Sequence, residues 1–184
     1  MILGGFLILP GCGAIPRAMI YTDPLSPEEH VQLAAAYMNQ GSVDLARKEY
    51  KSALQKQKRN VPALIGLGNL AFEREDWRTA QKYYRQALHI SPGNPGASNN
   101  LAMIYLKKGT HLNEAEGLIQ KSLQSAGPLK PYLLDTLVNL YLQEGRVDEA
   151  RSTFEQVRVE KPKDNPSFEE QFGRTSQKVA ATAP

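Results

Sequence analysis

Between residues 61 and 94 the apolar positions trace two helix faces in succession. Leu64, Leu67, Gly68 and Ala71 stand at i, i+3, i+4 and i+7, the spacing of one face of an α-helix. Ala80, Tyr84, Ala87 and Leu88 trace a second face of the same kind. Gly68 and Ala80 are small enough to let two helix axes approach closely, with Tyr84 filling the space beside that contact. Pro92 stops the second helix, because it lacks the amide hydrogen a helix interior needs. One such pair leaves its apolar stripe uncovered, so copies must stack.

The same pattern recurs without a gap on the N-terminal side. In residues 27–60, His30, Leu33, Ala34 and Tyr37 mark the first helix, and Ala46, Tyr50 and Ala53 the second. Gly41 stands at the turn between them, where a left-handed residue ends a helix cheaply. Ser26-Pro27-Glu28-Glu29 reads as a helix start, with Ser26 and Glu29 forming a capping box and Pro27 at the first helical position. In residues 95–130, Ser98, Leu101, Ala102 and Tyr105 repeat the first helix. Ala115, Ile119 and Ser122 repeat the second one residue late, which puts an insertion in the turn Gly109–Leu112. Gly117 falls inside that second helix, at a cost of about 1 kcal/mol relative to Ala. In residues 131–164, Leu134, Leu137, Val138 and Tyr141, then Gly145, then Ala150 and Phe154, complete a fourth copy that Pro162 ends. Phe168 and Phe172, four apart in residues 165–184, predict a helix that covers the open edge of the stack, as a solenoid end requires. The final Ala-Thr-Ala-Pro reads as a disordered end.

Bulky, Leu and small residues on one helix, Ala and an aromatic residue on the next, and a closing Pro resemble the tetratricopeptide repeat (TPR) pattern. The match in 61–94 departs from it only at Ala71, where an aromatic is usual. The resemblance implies an all-α, right-handed superhelix of four helix pairs plus a C-terminal capping helix. It also implies that the first helix of each pair lines a concave groove. The groove positions are then Val31, Ala35 and Met38; Ile65, Asn69 and Phe72; Asn99, Met103 and Leu106; Asp135, Asn139 and Leu142. This set is apolar with three Asn residues, whose amides donate and accept at once. It suits the backbone of a bound peptide or a partner helix. Family members that clamp acidic C-termini carry Lys and Arg at groove positions, and here Lys107 is the only basic residue beside them.

Ahead of the repeats lies a short apolar run, Ile2 to Leu9, too short to span a bilayer. Leu9-Pro10-Gly11-Cys12 resembles the cleavage motif of bacterial lipoprotein signal peptides. By that resemblance residues 1–12 are a signal peptide, and Cys12 becomes a lipid-acylated first residue. A signal peptide starts with basic residues, which are missing before the run; a start codon placed too late would explain this. Residues 13–26 hold Pro16 and Pro24 without helical period and read as a flexible tether. Gly13 after the Cys, rather than Asp, points to the outer membrane, on its periplasmic face.

Composition narrows the chemistry. The 184 residues are 41% hydrophobic and 22% charged, with a net charge of +3, in the range of a folded body. Lys and Arg are interleaved with Asp and Glu and form no basic stripe, so nucleic acid is not an expected partner. Cys12 is the single cysteine, which excludes an internal disulfide and a Cys-rich zinc site. His30, His89 and His111 are dispersed, with no second ligand at metal spacing. His30 reads as a packed helix residue, and Glu73, Glu75 and Asp76 as a solvated turn. No phosphate loop or catalytic set is visible, so neither an enzyme nor a cofactor is expected, apart from covalent lipid on Cys12. Trp77 reads as packing between repeats, Tyr84 as core and its neighbour Tyr83 as outside.

A repeat scaffold joined to a lipobox resembles the small TPR lipoproteins of Gram-negative envelopes, notably pilotin-type lipoproteins of type IV and Tad pili. An adaptor in pilus or secretin assembly is the leading expectation. An adaptor for peptidoglycan enzymes or polysaccharide export shares the architecture, and so does a soluble cytoplasmic adaptor. A homodimer through Phe168 and Phe172 is also compatible with the sequence.

Overall fold

The computed structural model describes residues 23–162 and 164–182; the signal-peptide reading, most of the tether and Cys12 lie outside them. Among the described residues there are nine α-helices. Four consecutive pairs are α1 (Pro27–Asn39) with α2 (Val43–Lys56), α3 (Val61–Glu73) with α4 (Trp77–Ile90), α5 (Pro95–Lys108) with α6 (Leu112–Leu123), and α7 (Lys130–Gln143) with α8 (Val147–Glu160). A 3-10 turn, Gly127–Leu129, precedes α7, and α9 (Pro166–Ala180) closes the chain. The helices of a pair pack together, each second helix packs on the first helix that follows it or, for α8, on α9, and α5 also touches α3 and α7.

Polar residues start these helices. Ser26 accepts from the Glu29 amide while Glu29 reaches back to the Ser26 amide, so the capping box is complete. Asn60, Asn94 and Asn165 each accept from the amide three residues on, at 2.9, 3.0 and 3.0 Å. Each satisfies an amide the first turn leaves without a helical partner. Asp76 does the same for Thr79 at 3.1 Å, so this carboxylate of the solvated turn is a cap. Gly41, Gly109 and Gly145 adopt φ of +72°, +62° and +73° at three of the four turns within pairs. In the second pair the position belongs to Glu75, at φ +59°. The inserted residue of the third pair is His111, also left-handed, with its ring stacked on Tyr105 at 5.1 Å.

The pairs close through small-to-large contacts. A β-carbon on Gly68 would meet the Tyr84 ring, and one on Gly66 would meet the Tyr50 ring. Ala34, Ala46, Ala53, Ala80, Ala87, Ala102, Ala115 and Ala150 are all fully buried. Trp77 is half-buried, edge-on to Phe72 at 5.1 Å. Tyr83 differs from its expectation. It is half-buried and packs across the junction of the first three pairs, because a helix flanked on both sides has only a narrow solvent face.

Helix α9 caps the fourth pair. Phe168 is fully buried and meets Tyr132 edge-on at 4.8 Å, and Phe172 stacks on Phe154 at 5.0 Å. These aromatics are committed inside the chain. Phe168 is therefore closed to the intermolecular contact considered for it. Beyond α9, the Thr182 carbonyl accepts from Arg151 at 2.6 Å, and the last two residues lie outside the described ones.

Candidate functional site: the concave groove

The first helix of each pair carries the fifth, ninth and twelfth residues of its repeat, and the structure tests what each can offer. Val31, Met38, Ile65, Phe72, Met103, Leu106 and Leu142 are half-exposed and Ala35 is exposed. Asp135 departs from the expected open position. It is 2% exposed, because α9 lies over it. Its Oδ2 accepts from Gln171 at 2.6 Å, while Oδ1 has no hydrogen-bond partner. Burial raises the Asp135 carboxyl above its ordinary value, and hydrogen bonds from Gln171 and Thr175 oppose the rise.

The three asparagines are not free handles. Asn69 Oδ1 accepts from Tyr84 Oη and from Asn100 Nδ2, both at 2.8 Å. Asn99 Oδ1 accepts from Thr136 Oγ1 at 2.8 Å. Asn139 donates to the Asp135 carbonyl at 2.8 Å and to Thr175 at 3.2 Å, and accepts from Lys178 at 2.6 Å. The ties Asn69–Asn100 and Asn99–Thr136 reach from one first helix to the next, and α9 takes the place of the next for Asn139, through Thr175 and Lys178. The sequence shows residue types at single groove positions. It does not show that the residue five after the proline opening the following helix (Asn100, Thr136, Gln171) stands within bonding reach. The groove floor is therefore a closed polar seam between half-exposed apolar side chains.

The groove deepens where α9 meets α5 and α7. There a recess of about 300 Å³ is lined by Met103, Leu106 and Asn139, with Lys107, Arg174 and Lys178 among its walls. Leu142 and Gln143 extend it along α7. Arg174 and Lys178 were missed because the capping helix was read only as a cover. The signal was present: Asn165-Pro166 repeats Asn94-Pro95, which places Gln171, Phe172 and Gly173 in register with Asn100, Leu101 and Ala102.

Outside the groove, two polar clusters tie second helices to the next pair. Arg85 donates to Tyr105 Oη at 2.6 Å, and Tyr105 donates to Glu114 at 3.1 Å. Arg146 binds Glu116 at 2.7 Å and lies over the Tyr141 ring at 4.2 Å. Hydrogen bonds from Arg146 hold the Glu116 carboxyl below its ordinary value. His30 is packed as expected, 2% exposed, with Nδ1 2.7 Å from Glu49 and Nε2 2.6 Å from Asp23. Lys56 donates to the carbonyls of Asp23 and Leu25. The last residues of the tether segment, 23–25, are thus fastened to α1 and α2. Among the described residues no group of three or more His, Cys, Asp and Glu side chains is placed to hold a metal ion. No described helix is long and apolar enough to cross a membrane.

The sequence model of the family described as Tetratricopeptide repeat matches residues 31–95 and again 65–131. Cellulose synthase operon protein C of Pseudomonas fluorescens (strain SBW25) is 40% identical over 86 residues, 46% of this chain and 7% of that protein. The chain thus spans only a small part of such curated relatives, 9% in the mouse Tetratricopeptide repeat protein 21A. Among solved structures, PilW, described as a widely conserved type IV pilus biogenesis factor, superposes with a TM-score of 0.70 at 18% identity. That match covers 84% of this chain and 76% of PilW. YrrB, described as a TPR protein with an unusual peptide-binding site, superposes at 0.62 with 19% identity, covering 84% and 78%.

Proposed function

From a chain that belongs to the tetratricopeptide repeat family, we propose a non-catalytic adaptor of the bacterial envelope that holds a protein partner in its concave groove. The observation that carries this reading is the row of half-exposed apolar side chains, from Val31 through Ile65 and Met103 to Leu142, that no described element covers. Such a row loses water contact only when something docks on it. Lipid on Cys12 would anchor the adaptor to the outer membrane. Burial of acyl chains contributes about 0.8 kcal/mol per methylene, and more than one chain makes the anchoring stable. The machine served is a pilus or secretin assembly. This choice is supported by the lipobox-like Leu9-Pro10-Gly11-Cys12 and by a fold shared with PilW. A second reading, polysaccharide export, is favoured by the stretch similar to cellulose synthase operon protein C.

The test is palmitate labelling with membrane fractionation of the wild type and Cys12→Ala in a Gram-negative host, followed by crosslinking through a photoreactive residue at position 65. Label on the wild type alone, with crosslinks to secretin or pilin proteins, supports the pilus reading. Crosslinks to glycan-export proteins support the second. An unlabelled protein in the cytoplasm removes both.

A further inference from the structure

We propose that the recess where α9 meets α5 and α7 binds an acidic segment of a protein partner, with Asp or Glu side chains interspersed among apolar residues. This rests on the groove reading above and adds the chemistry of what enters its C-terminal end. Three cations line the recess: Lys107 from α5, and Arg174 and Lys178 from α9. Among the described residues the one carboxylate in its lining is Asp135, which is buried under α9 with Oδ2 already bonded to Gln171. None of the three cations has an exposed acidic partner within the described lining of the recess. Lys107 rests its ammonium 5.8 Å from the Trp77 ring, and Lys178 donates to the neutral Asn139 amide. Arg174 pairs with Glu170 one turn back, but both side chains are well exposed. Such a pair adds little stability and exchanges readily for another carboxylate.

The excess of positive charge is local: beside Val31, at the other end of the groove, Arg59 is accompanied by Glu28. Val31, Ala35, Ile65 and Asn69, at the other end of the groove, are uncharged. Between the ends stand Met103 and Leu106, which also form the apolar floor of the recess. A ligand lying along the groove therefore meets an apolar track and then a cluster of cations. Complementary charge steers encounter and fixes which way round the ligand lies. A recess of this size, set in a concave face, admits side chains of a peptide and does not offer the broad basic stripe that a nucleic-acid backbone needs.

The test uses fluorescence anisotropy of the full chain with three acetylated, amidated probe peptides built of Glu-Glu-Leu, Gln-Gln-Leu and Lys-Lys-Leu repeats. The Glu probe should bind about tenfold tighter than the Lys probe, with the margin shrinking as salt is raised. The double variant Lys107→Glu with Arg174→Glu changes two exposed side chains, and its circular dichroism should match the wild type. It should reverse the order of the probes. Ile65→Arg, remote from the recess, should weaken all three. Equal affinity for all three probes, still weakened by Ile65→Arg, would leave the groove reading standing and overturn the acidic ligand. Probes that fail to bind, or bind indifferently to every variant, would overturn both. Tight binding of the Gln probe only when its C-terminus is left uncapped would overturn the internal acidic segment in favour of a terminal carboxylate.

Discussion

The ring of Tyr84 occupies the space in which a side chain on Gly68 would begin. A β-carbon at position 68 would lie 2.8 Å from Cδ1 of that ring and closer still to Cε1, and Tyr84 is fully buried. The ring is held at its far end by Asn69, so it has no free direction in which to yield. Gly68→Ala should therefore destabilise the fold by about 1–3 kcal/mol, the usual cost of overpacking a core. Urea unfolding followed by circular dichroism measures it; an unchanged midpoint would contradict the close approach of α3 and α4.

Gly117 is the opposite case. It sits within α6, and nothing stands within 4 Å of where its β-carbon would be. Gly117→Ala should stabilise the protein by about 0.5–1 kcal/mol, by restricting the unfolded chain and removing the helix cost of glycine. The same unfolding experiment reads a rise in midpoint.

Glu75 holds a left-handed backbone that Gly41, Gly109 and Gly145 hold in the other pairs. A residue with a β-carbon is strained there by about 1–2 kcal/mol. Replacing it with glycine relieves that strain, and the greater freedom glycine loses on folding offsets part of the relief. Glu75→Gly should give a net gain of about 0.5–1 kcal/mol, seen as a higher thermal midpoint in calorimetry.

Asp135 should impose a pH dependence opposite in sign to that of Glu116, whose carboxyl is held low. Its folded carboxyl is raised above the ordinary value of 3.8, chiefly by burial. Below the ordinary value the group is protonated whether folded or not, and it carries no penalty. As pH climbs from there through the raised folded value, the unfolded chain gains by ionising first, and stability is lost. Asp135→Asn keeps an oxygen for Gln171 and removes the titration. Relative to the wild type, it should be more stable at pH 7 than at pH 4 in paired urea titrations. A difference independent of pH would show that the buried carboxyl titrates normally.

Phe168 fastens α9 from a fully buried position against Tyr132. Phe168→Ala should cost about 3–5 kcal/mol, as removal of a buried aromatic does. The loss should be concentrated at the C-terminus: hydrogen exchange of the α9 amides should accelerate well before that of α3 and α4.

The fold was legible because each repeat writes its packing locally. Gly68 with Tyr84 is a short-range pair whose spacing states which helices touch. The late second helix of the third pair was equally visible, and His111 supplies the extra residue. The groove was harder to read. Asn69, Asn99 and Asn139 read as open amides in the sequence because each has a partner from the next first helix or from α9, and residue type at one position says nothing about reach across a whole repeat. Asp135 was judged exposed for the same reason. The repeat pattern assigns it to the groove, and only α9, lying outside the four repeats, buries it. Tyr83 was misplaced because a two-sided inside–outside division does not describe a helix with neighbours on both flanks.

The seam along the groove floor has a mechanical consequence. Asn69 with Asn100, Asn99 with Thr136, and Asp135 with Gln171 join α3 to α5, α5 to α7 and α7 to α9 on the concave side, like stitches along the inner curve of a bow. Straightening the molecule would pull on all of these joins together, so its bend behaves as a stiff dimension. A partner must then match that curvature on arrival, and one too flat or too sharply bent is refused before any side chain is compared.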